Sequence, residues 1–423
     1  MTGKTPQIEE MWHSVKSLYE KFPYPAGESD LNQFIAQKSL QLGCPSLWFH
    51  WYWPYAAATG DLDILVAGCG TTQAAQFALC LPNSRITAID ISEHSLNHTQ
   101  MLIDKHRITN IDLHRMPIER ITDMRKNYDL IISTGVIHHL PEPAAGLRAL
   151  RSVLRENGSM FLMLYAKYGR DGVYYMQDML RRMGTTAANV TQQDLDDIGS
   201  IVETLPTYHS LAAKRSFFND LRSHIELVDL LLHPQDRAYS IPEIYSLLEE
   251  CGMNMQKIVF RAHYDPRCTP LASSPFFSKI QSLPLAEQFA IGELFRAGSI
   301  MHFFVACRDD RPGKDYLTDI AGDNWKQLIP IRYPGAFVDS IDTPEGKRTI
   351  LFSPLHQFRD LCYPMDEILV EFFSSIDGST PAGRLIEEML PRMGEAYEPE
   401  DMHIFLEDLE AFDYIWFRGQ SNF

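Results

Sequence analysis

Several side chains in this 423-residue sequence could move a proton or orient a ligand. His138 and His139 stand together in "VIHHLPEP", and histidine titrates near neutrality, so either could act as a general base. Packing at the start of a helix is the competing reading for both. Tyr165 and Tyr168 in "LYAKYGR", with Tyr174 and Tyr175 in "GVYYMQ", offer phenols for hydrogen bonding and ring faces that can shield a cation. Tyr19 and Tyr24 flank "YEKFPYP", where Pro23 and Pro25 stiffen a loop able to close over a ligand. A half-buried aromatic belt is the alternative for each of these tyrosines. In "HPQDR", His233, Asp236 and Arg237 bring together a base, an acid and a guanidinium. They suit a site on a loop, or a turn that pins one element to another. The tract "WFHWYW" at 48–53 reads as core packing, and Met176, Met179 and Met183 at near-helical spacing as core or lid packing.

A second constellation is "DILVAGCGTTQAAQF", residues 63–77, which has the pattern of strand, glycine turn and helix. Such a turn can cradle a dinucleotide, a phosphate or S-adenosylmethionine. Gly68 and Gly70 sit where backbone must come close to a ligand, and Thr72 fills the slot of a third glycine. A pyrophosphate favours glycine there, whereas a ligand without phosphate tolerates a side chain. Asp90 ends "RITAID" about 20 residues further on, where an acid can accept hydrogen bonds from a ribose diol. Ser92 is the better helix cap, which leaves Asp90 for the ligand. NAD and S-adenosylmethionine both present that diol.

The scaffold around these residues follows from the hydrophobic pattern. Residues 1–60 read as an N-terminal helical cap. From residue 61, the apolar runs "DILVAG", "RITAID", "IDLHRM", "YDLIIST" and "SMFLMLY" alternate with helices near 73–80, 93–105 and 144–155. This predicts a doubly wound, Rossmann-like α/β fold with a parallel sheet and ligands at its carboxyl edge. Residues 170–238 read as a helical insertion on the substrate side. A helix capped by Ser240 and Glu243 and stopped by Gly252 follows, and "QKIVFRA" and "IMHFFVACR" complete a seven-stranded domain over 61–311. Residues 312–423 read as a small C-terminal helical domain.

Composition narrows the partners. A net charge of −17, without a basic stripe, argues against nucleic acid and for a small-molecule or protein acceptor. Seven scattered cysteines without a Cys-x-x-Cys pair argue against a disulfide framework and a thiolate metal site. The N-terminus lacks the apolar core of a secretory signal, and no run is long enough to span a membrane. The expectation is a cytoplasmic protein with no membrane partner and no metal, able to form a homodimer.

"DILVAGCG", "AIDIS", "HRMPIERI" and "LIISTGVIHHLPEPAAGLRALRSVL" together resemble the motif series of class I S-adenosylmethionine-dependent methyltransferases, over residues 61 to 166. The resemblance implies S-adenosyl-L-methionine as cofactor. Gly68 and Gly70, with Ala67 beside them, would line its methionine part, and Asp90 and Ile91 its ribose. Pro117, Ile118 and Glu119 would lie by the adenine, and Ser133 and Thr134 would floor the site. "FPYP", "PIE", "LMLYAKYGRDGVYYMQ" and "LLHPQDRAYSIPEI" further resemble a bacterial subgroup of that superfamily. Val66 departs from the acid often found two positions before the first glycine, so either another residue, such as one from the N-terminal cap, anchors the cofactor's ammonium or affinity is reduced. Such an enzyme would methylate O or N of a small molecule or protein side chain, with His138, His139, Tyr165 and Tyr168 as candidate catalytic groups. Tyr19, Tyr24, Tyr174, Tyr175, His233 and Arg237 are the substrate-side candidates. A non-catalytic S-adenosylmethionine sensor or partner-binding module, and an NAD(P)-dependent oxidoreductase, remain as alternatives.

Overall fold

The computed structural model describes residues 5–22, 27–32, 34, 42–218, 221, 223–312, 316–322, 324–344, 346–394 and 396–420. Tyr24 and its two flanking prolines lie outside the described residues.

Long apolar runs build a sheet buried on both faces. Its strands are β1 Asp63–Ala67, β2 Arg85–Asp90, β3 Ile111–Arg115, β4 Tyr128–Thr134, β5 Leu154–Tyr165, β6 Met253–Val259 and β7 Met301–Arg308. The order is β3-β2-β1-β4-β5-β7-β6. β1 runs parallel to β2 and β4, and the parallel run extends to β3 and β5. β7 departs from the expected parallel sheet: it lies antiparallel to β5, with Ser159 opposite Cys307 and Tyr165 opposite Met301. Strand order reverses beside β1, so a crevice opens at the carboxyl ends of β1 and β4.

The helices before, between and after the early strands are α1 Thr5–Lys21, α2 Gln73–Cys80, α3 Glu93–His106 and α4 Pro143–Ser152. Ser92 caps α3 by accepting from the Ser95 N–H at 3.2 Å, which leaves Asp90 free of that duty. Leu147 and Leu150 of α4 join Ile118, Ile121 and Leu162 in one core, whereas Leu154 already begins β5. The insertion holds α5 Asp171–Arg182, α6 Gln192–Thr204 and α7 His224–Leu231, and α8 Ile241–Glu250 follows with the expected Ser240–Glu243 capping box. Leu18 of α1 packs in one cluster with Met176 and Leu180 of α5, Ile198 of α6 and Val228 of α7. Burial of each such side chain contributes about 1.5–3 kcal/mol. That shared core fixes the N-terminal helix against the insertion, and with it the polar residues both carry.

The chain divides into two compact units, 1–48 with 59–257 and 297–312, and 49–58 with 258–296 and 313–423. The structure corrects three sequence expectations. Residues 49–58, expected within the N-terminal cap, group with the C-terminal unit. Residues 258–296, including α9 Leu285–Arg296, group with the C-terminal unit although they interrupt the sheet's last two strands in sequence. The C-terminal unit is not purely helical. Helices α10 Glu367–Ser375, α11 Ala382–Met393 and α12 Pro399–Ala411 share a core with Leu351, Ile415 and Phe417. Those three residues belong to antiparallel strands: β8 Ile329–Arg332 pairs with β12 Ile415–Arg418, and β10 Gly346–Phe352 lies between β9 Phe337–Thr343 and β11 Cys362–Met365. Trp48, Phe49, Trp51, Tyr52 and Trp53 are all buried, as packing residues should be. Among the described residues, no helix is long and apolar enough to cross a membrane.

Candidate active site

A cavity of about 330 Å³ opens at the carboxyl edge of β1, β2, β4 and β5. Its floor is the glycine turn. Gly68 and Gly70 take φ of +74° and +57°, the left-handed region that glycine enters without strain. A Cβ on Gly68 would stand 2.3 Å from Val136 Cγ2, so the first glycine answers to the neighbouring turn after β4 as well as to a ligand. The Gly68 and Cys69 N–H groups donate to the Ile89 carbonyl at 2.9 and 3.0 Å. Thr99 of α3 brings its hydroxyl within 3.0 Å of the Gly70 and Thr71 carbonyls. The turn is therefore held from β2 and from α3.

Asp90 closes the next side. Its Oδ2 accepts the Gly70 N–H at 2.9 Å and its Oδ1 the Ser92 N–H at 2.8 Å. Each oxygen keeps a further lone pair for a ligand hydroxyl. Burial raises the Asp90 carboxyl, and the backbone N–H groups of Ser92, Gly70 and Ile91 oppose that rise. Ile91, Met116, Pro117 and Ile118 make an apolar wall after β2 and β3, with Glu119 beside it. Thr134 reaches the cavity from β4 and lies 2.9 Å from Gln73 Nε2.

The fit of a cofactor can be judged from this lining. Asp90, Glu119 and Asp229 all border the cavity, and among the described residues no Lys or Arg does. A pyrophosphate would meet three carboxylates without a cation to offset it. A ligand carrying a sulfonium and an ammonium meets complementary charge, and the same lining offers the acceptor oxygens of Asp90 and an apolar wall to the rest of such a nucleoside.

The β5 side of the cavity is built differently. Tyr19 from α1, His139 from the turn after β4, Tyr165 from the end of β5 and Asp229 from α7 converge there. The Tyr19 hydroxyl donates to Asp229 Oδ1 at 3.3 Å, and the Tyr165 hydroxyl to Oδ2 at 3.4 Å. Tyr19 Oη also lies 3.3 Å from His233 Nε2, while His233 Nδ1 accepts the Gln235 N–H at 3.1 Å. That bond leaves the His233 proton on Nε2, pointing at Tyr19. His139 Nδ1 lies 2.7 Å from the Gln235 carbonyl, to which it donates, so its Nε2 carries the lone pair. The two imidazoles stack at 3.8 Å. Burial pushes Asp229 up to about 7, against the pull of Arg170, and holds His139 and His233 below the ordinary histidine value. His139, Asp229 and His233 each offer a ligand atom within 4.8 Å of the others, the grouping that could hold a metal ion among the described residues. The Tyr19 hydroxyl already bridges two of those three.

Behind this wall is a buried ion pair. Arg170 Nη2 lies 3.1 Å from Asp236 Oδ2, with the side chains 3% and 1% exposed. Gln177 Nε2 and the Tyr174 hydroxyl also donate to Asp236, at 3.0 and 3.3 Å. The Arg170 guanidinium covers the Tyr165 ring at 3.5 Å. Burial works against its charge, and Asp236 outweighs that.

Of the residues singled out in the sequence, Gly68, Gly70, Asp90, Ile91, Pro117, Ile118, Glu119, Thr134, Tyr19, His139 and Tyr165 line the cavity. Others do not. Ala67 and Ser133 are fully buried and joined to each other, the Ser133 hydroxyl donating to the Ala67 carbonyl at 3.1 Å, so they tie β1 to β4. His138 is fully buried beneath Tyr165, ring to ring at 3.9 Å, and neither nitrogen has a hydrogen-bond partner. Tyr168 lies off the cavity, its carbonyl accepting from Lys214 Nζ at 2.7 Å. Tyr174 serves Asp236, Tyr175 is 59% exposed, and Arg237 is exposed and lies over the Tyr239 ring at 4.8 Å. His233 touches the site through Tyr19 and His139. Asp229 and Arg170 went unnoticed. The signal for Asp229 was a lone acid within "LVDLLL", on a helix whose Leu227, Val228, Leu230 and Leu231 are all buried.

A family model described as a methyltransferase domain matches residues 65–160. The chain is 25% identical over 376 residues to an uncharacterised protein from Synechococcus sp., covering 84% of this chain and 86% of that one. It is 30% identical over 119 residues to a malonyl-[acyl-carrier protein] O-methyltransferase from Halalkalibacterium halodurans, covering 27% and 42% of the two chains. A ubiquinone biosynthesis O-methyltransferase from Acinetobacter baylyi is 22% identical over 113 residues, 26% of this chain and 47% of that one. The chain thus spans under half the length of these two named methyltransferases. In fold it is similar to PKMT2 from Rickettsia typhi solved with AdoHcy, at a TM-score of 0.61 and 15% identity over 89% of this chain and 76% of that one. With the glycine turn, the cavity-lining Asp90 and the family match falling on one sheet edge, the chain carries the domain of a class I S-adenosylmethionine-dependent methyltransferase.

Proposed function

We propose that this enzyme methylates an oxygen or nitrogen of a small molecule or protein side chain, at the β5 end of the cavity. The observation that carries the reading is the wall formed by Tyr19, His139, Tyr165 and Asp229, which faces the same cavity as Asp90 from the opposite end. Asp90 lies on β2 and Tyr165 on β5, three strand spacings apart, or about 14 Å. The β2 end holds the nucleoside, with Asp90 accepting the ribose hydroxyls and Met116, Pro117 and Ile118 against the base. The bound cofactor supplies an electrophilic methyl group. The chain's own residues align an acceptor beyond it, exclude water and take up the acceptor's proton.

S-adenosylhomocysteine release tests this. The purified chain is supplied with S-adenosylmethionine and two acceptor panels, hydroxylated compounds and primary amines, the latter including lysine-containing peptides. The reading expects acceptor-dependent release that Tyr165→Phe reduces. Saturable cofactor binding without release against either panel would favour the sensor instead.

A further inference from the structure

Resting on the methyl-transfer reading, we infer that Asp229 is the carboxylate that receives the methyl acceptor, and that the acceptor is an amine arriving as an ammonium ion. Asp229 is 5% exposed, yet it borders the cavity. Its two oxygens accept from Tyr19 and Tyr165, the arrangement of an ionised carboxylate with one lone pair to spare on each oxygen. Among the described residues no basic side chain forms an ion pair with it. The nearby cation, Arg170, is paired with Asp236. A buried, ionised carboxylate without a counter-ion is costly, and a cation entering the cavity offsets that cost where a neutral alcohol does not.

Among the described residues, two phenols donate to Asp229 and the remaining charges act on it without a hydrogen bond. Tyr19 donates from α1 and receives the His233 Nε2 proton. Tyr165 donates from β5. Arg170 pulls the carboxyl down, while Asp236 and Glu226 push it up. His139, the other base on this wall, is depressed by burial, so it holds a proton poorly, whereas Asp229 is poised near neutrality. The sequence of events balances. One ammonium proton passes to the Asp229 carboxylate, and the freed nitrogen pair forms the bond to the methyl carbon. The carbon–sulfur bond breaks with its pair left on sulfur, and the positive charge ends on the methylated nitrogen. Asp229 returns its proton to water as product leaves.

Sinefungin is an S-adenosylmethionine analogue that carries an amine where the transferable methyl stands, so it places an ammonium at the point in question. Calorimetry on the full chain at pH 8 is expected to give at least tenfold tighter binding of sinefungin than of S-adenosylhomocysteine. Asp229→Asn should cut that preference below twofold while S-adenosylhomocysteine affinity stays within threefold. The wild-type protein supplies a second readout that needs no variant: the preference should fall below twofold at pH 5.5, where the carboxyl is protonated. A preference that survives both the substitution and pH 5.5, or none at pH 8, overturns the inference. Binding of neither ligand overturns the methyl-transfer reading itself. An acceptor identified as methylated on oxygen overturns the nitrogen assignment alone.

Discussion

The two ends of the cavity are made by different means. At the β2 end the contacts come from main chain within a few residues of Gly68 and from Asp90, all inside one strand–turn–helix unit and its neighbour. At the β5 end, four side chains arrive from α1, the turn after β4, β5 and α7, with Tyr19 and Asp229 separated by 210 positions. A local turn can be specified by glycines and an acid at fixed spacing. A wall assembled from distant elements depends on packing, here on the core that Leu18 shares with Val228 and Met176. Damage to one end should therefore leave the other standing.

The largest expected effect strikes the β5 end from behind. Asp236→Ala leaves Arg170 charged and buried without its partner, which costs about 3–5 kcal/mol. The melting temperature should fall sharply and acceptor-dependent turnover with it. S-adenosylhomocysteine affinity below the new midpoint should stay within threefold. Loss of cofactor binding in the folded variant would break the separation of the two ends.

Asp229 gives the comparison a pH axis. Its carboxyl ionises near 3.8 when unfolded and near 7 when folded. Between those values the folded chain holds the extra proton, so this group's contribution to stability falls as pH rises from about 4 to about 7 and stays low above that. The slope is at most about 1.4 kcal/mol per pH unit. His139 and His233, depressed by burial, work in the opposite sense below their unfolded value. Comparing wild type with Asp229→Asn isolates the carboxyl: the variant should gain in relative stability across that window in thermal melts, and a constant difference would remove Asp229 as the titrating group.

How much was legible in the sequence follows the same division. Gly68, Gly70, Asp90 and the apolar residues after β3 could be read because local spacing creates their geometry. At the other end, Tyr19 and Tyr165 were visible as residue types, but Arg237 was favoured over the buried Asp229. An acid amid leucines signals a buried charge only once its helix is known to lie against a cavity. His138 and His139 are adjacent yet face different surroundings, which a dipeptide cannot reveal. In the second unit the strands were missed for related reasons. β9 is almost wholly exposed, β8 and β11 contain Pro330 and Pro364, and all three lack the apolar alternation that marks a strand.

At the β2 end, Gly68→Ala should be the most damaging change. A side chain at φ +74° costs about 1–2 kcal/mol, and the clash with Val136 adds about 1–3 kcal/mol. Cofactor affinity should drop more than a hundredfold in calorimetry. Asp90→Ala comes next. Loss of charge-assisted contacts to the ribose should weaken S-adenosylhomocysteine by about 2–3 kcal/mol. Because Asp90 also holds the Gly70 and Ser92 N–H groups, the melting temperature should fall as well. Unchanged affinity would remove the carboxylate from the ribose.

The smallest effect separates the adjacent histidines. His138 is buried with both nitrogens unpartnered and its ring against Tyr165, so its polarity is a burden on the fold and its shape is what the site uses. His138→Phe keeps an aromatic ring there and removes two unsatisfied polar atoms, at the cost of some added volume. The melting temperature should hold or rise by a few degrees, with turnover within twofold of wild type. His139→Phe deletes the bond to the Gln235 carbonyl and the second ring nitrogen of a cavity-lining residue, and should lower turnover at least tenfold. Were His138→Phe the more damaging of the two, the ring beneath Tyr165 would have to move a proton through that phenol, and the β5 wall would be one layer deeper than its cavity face.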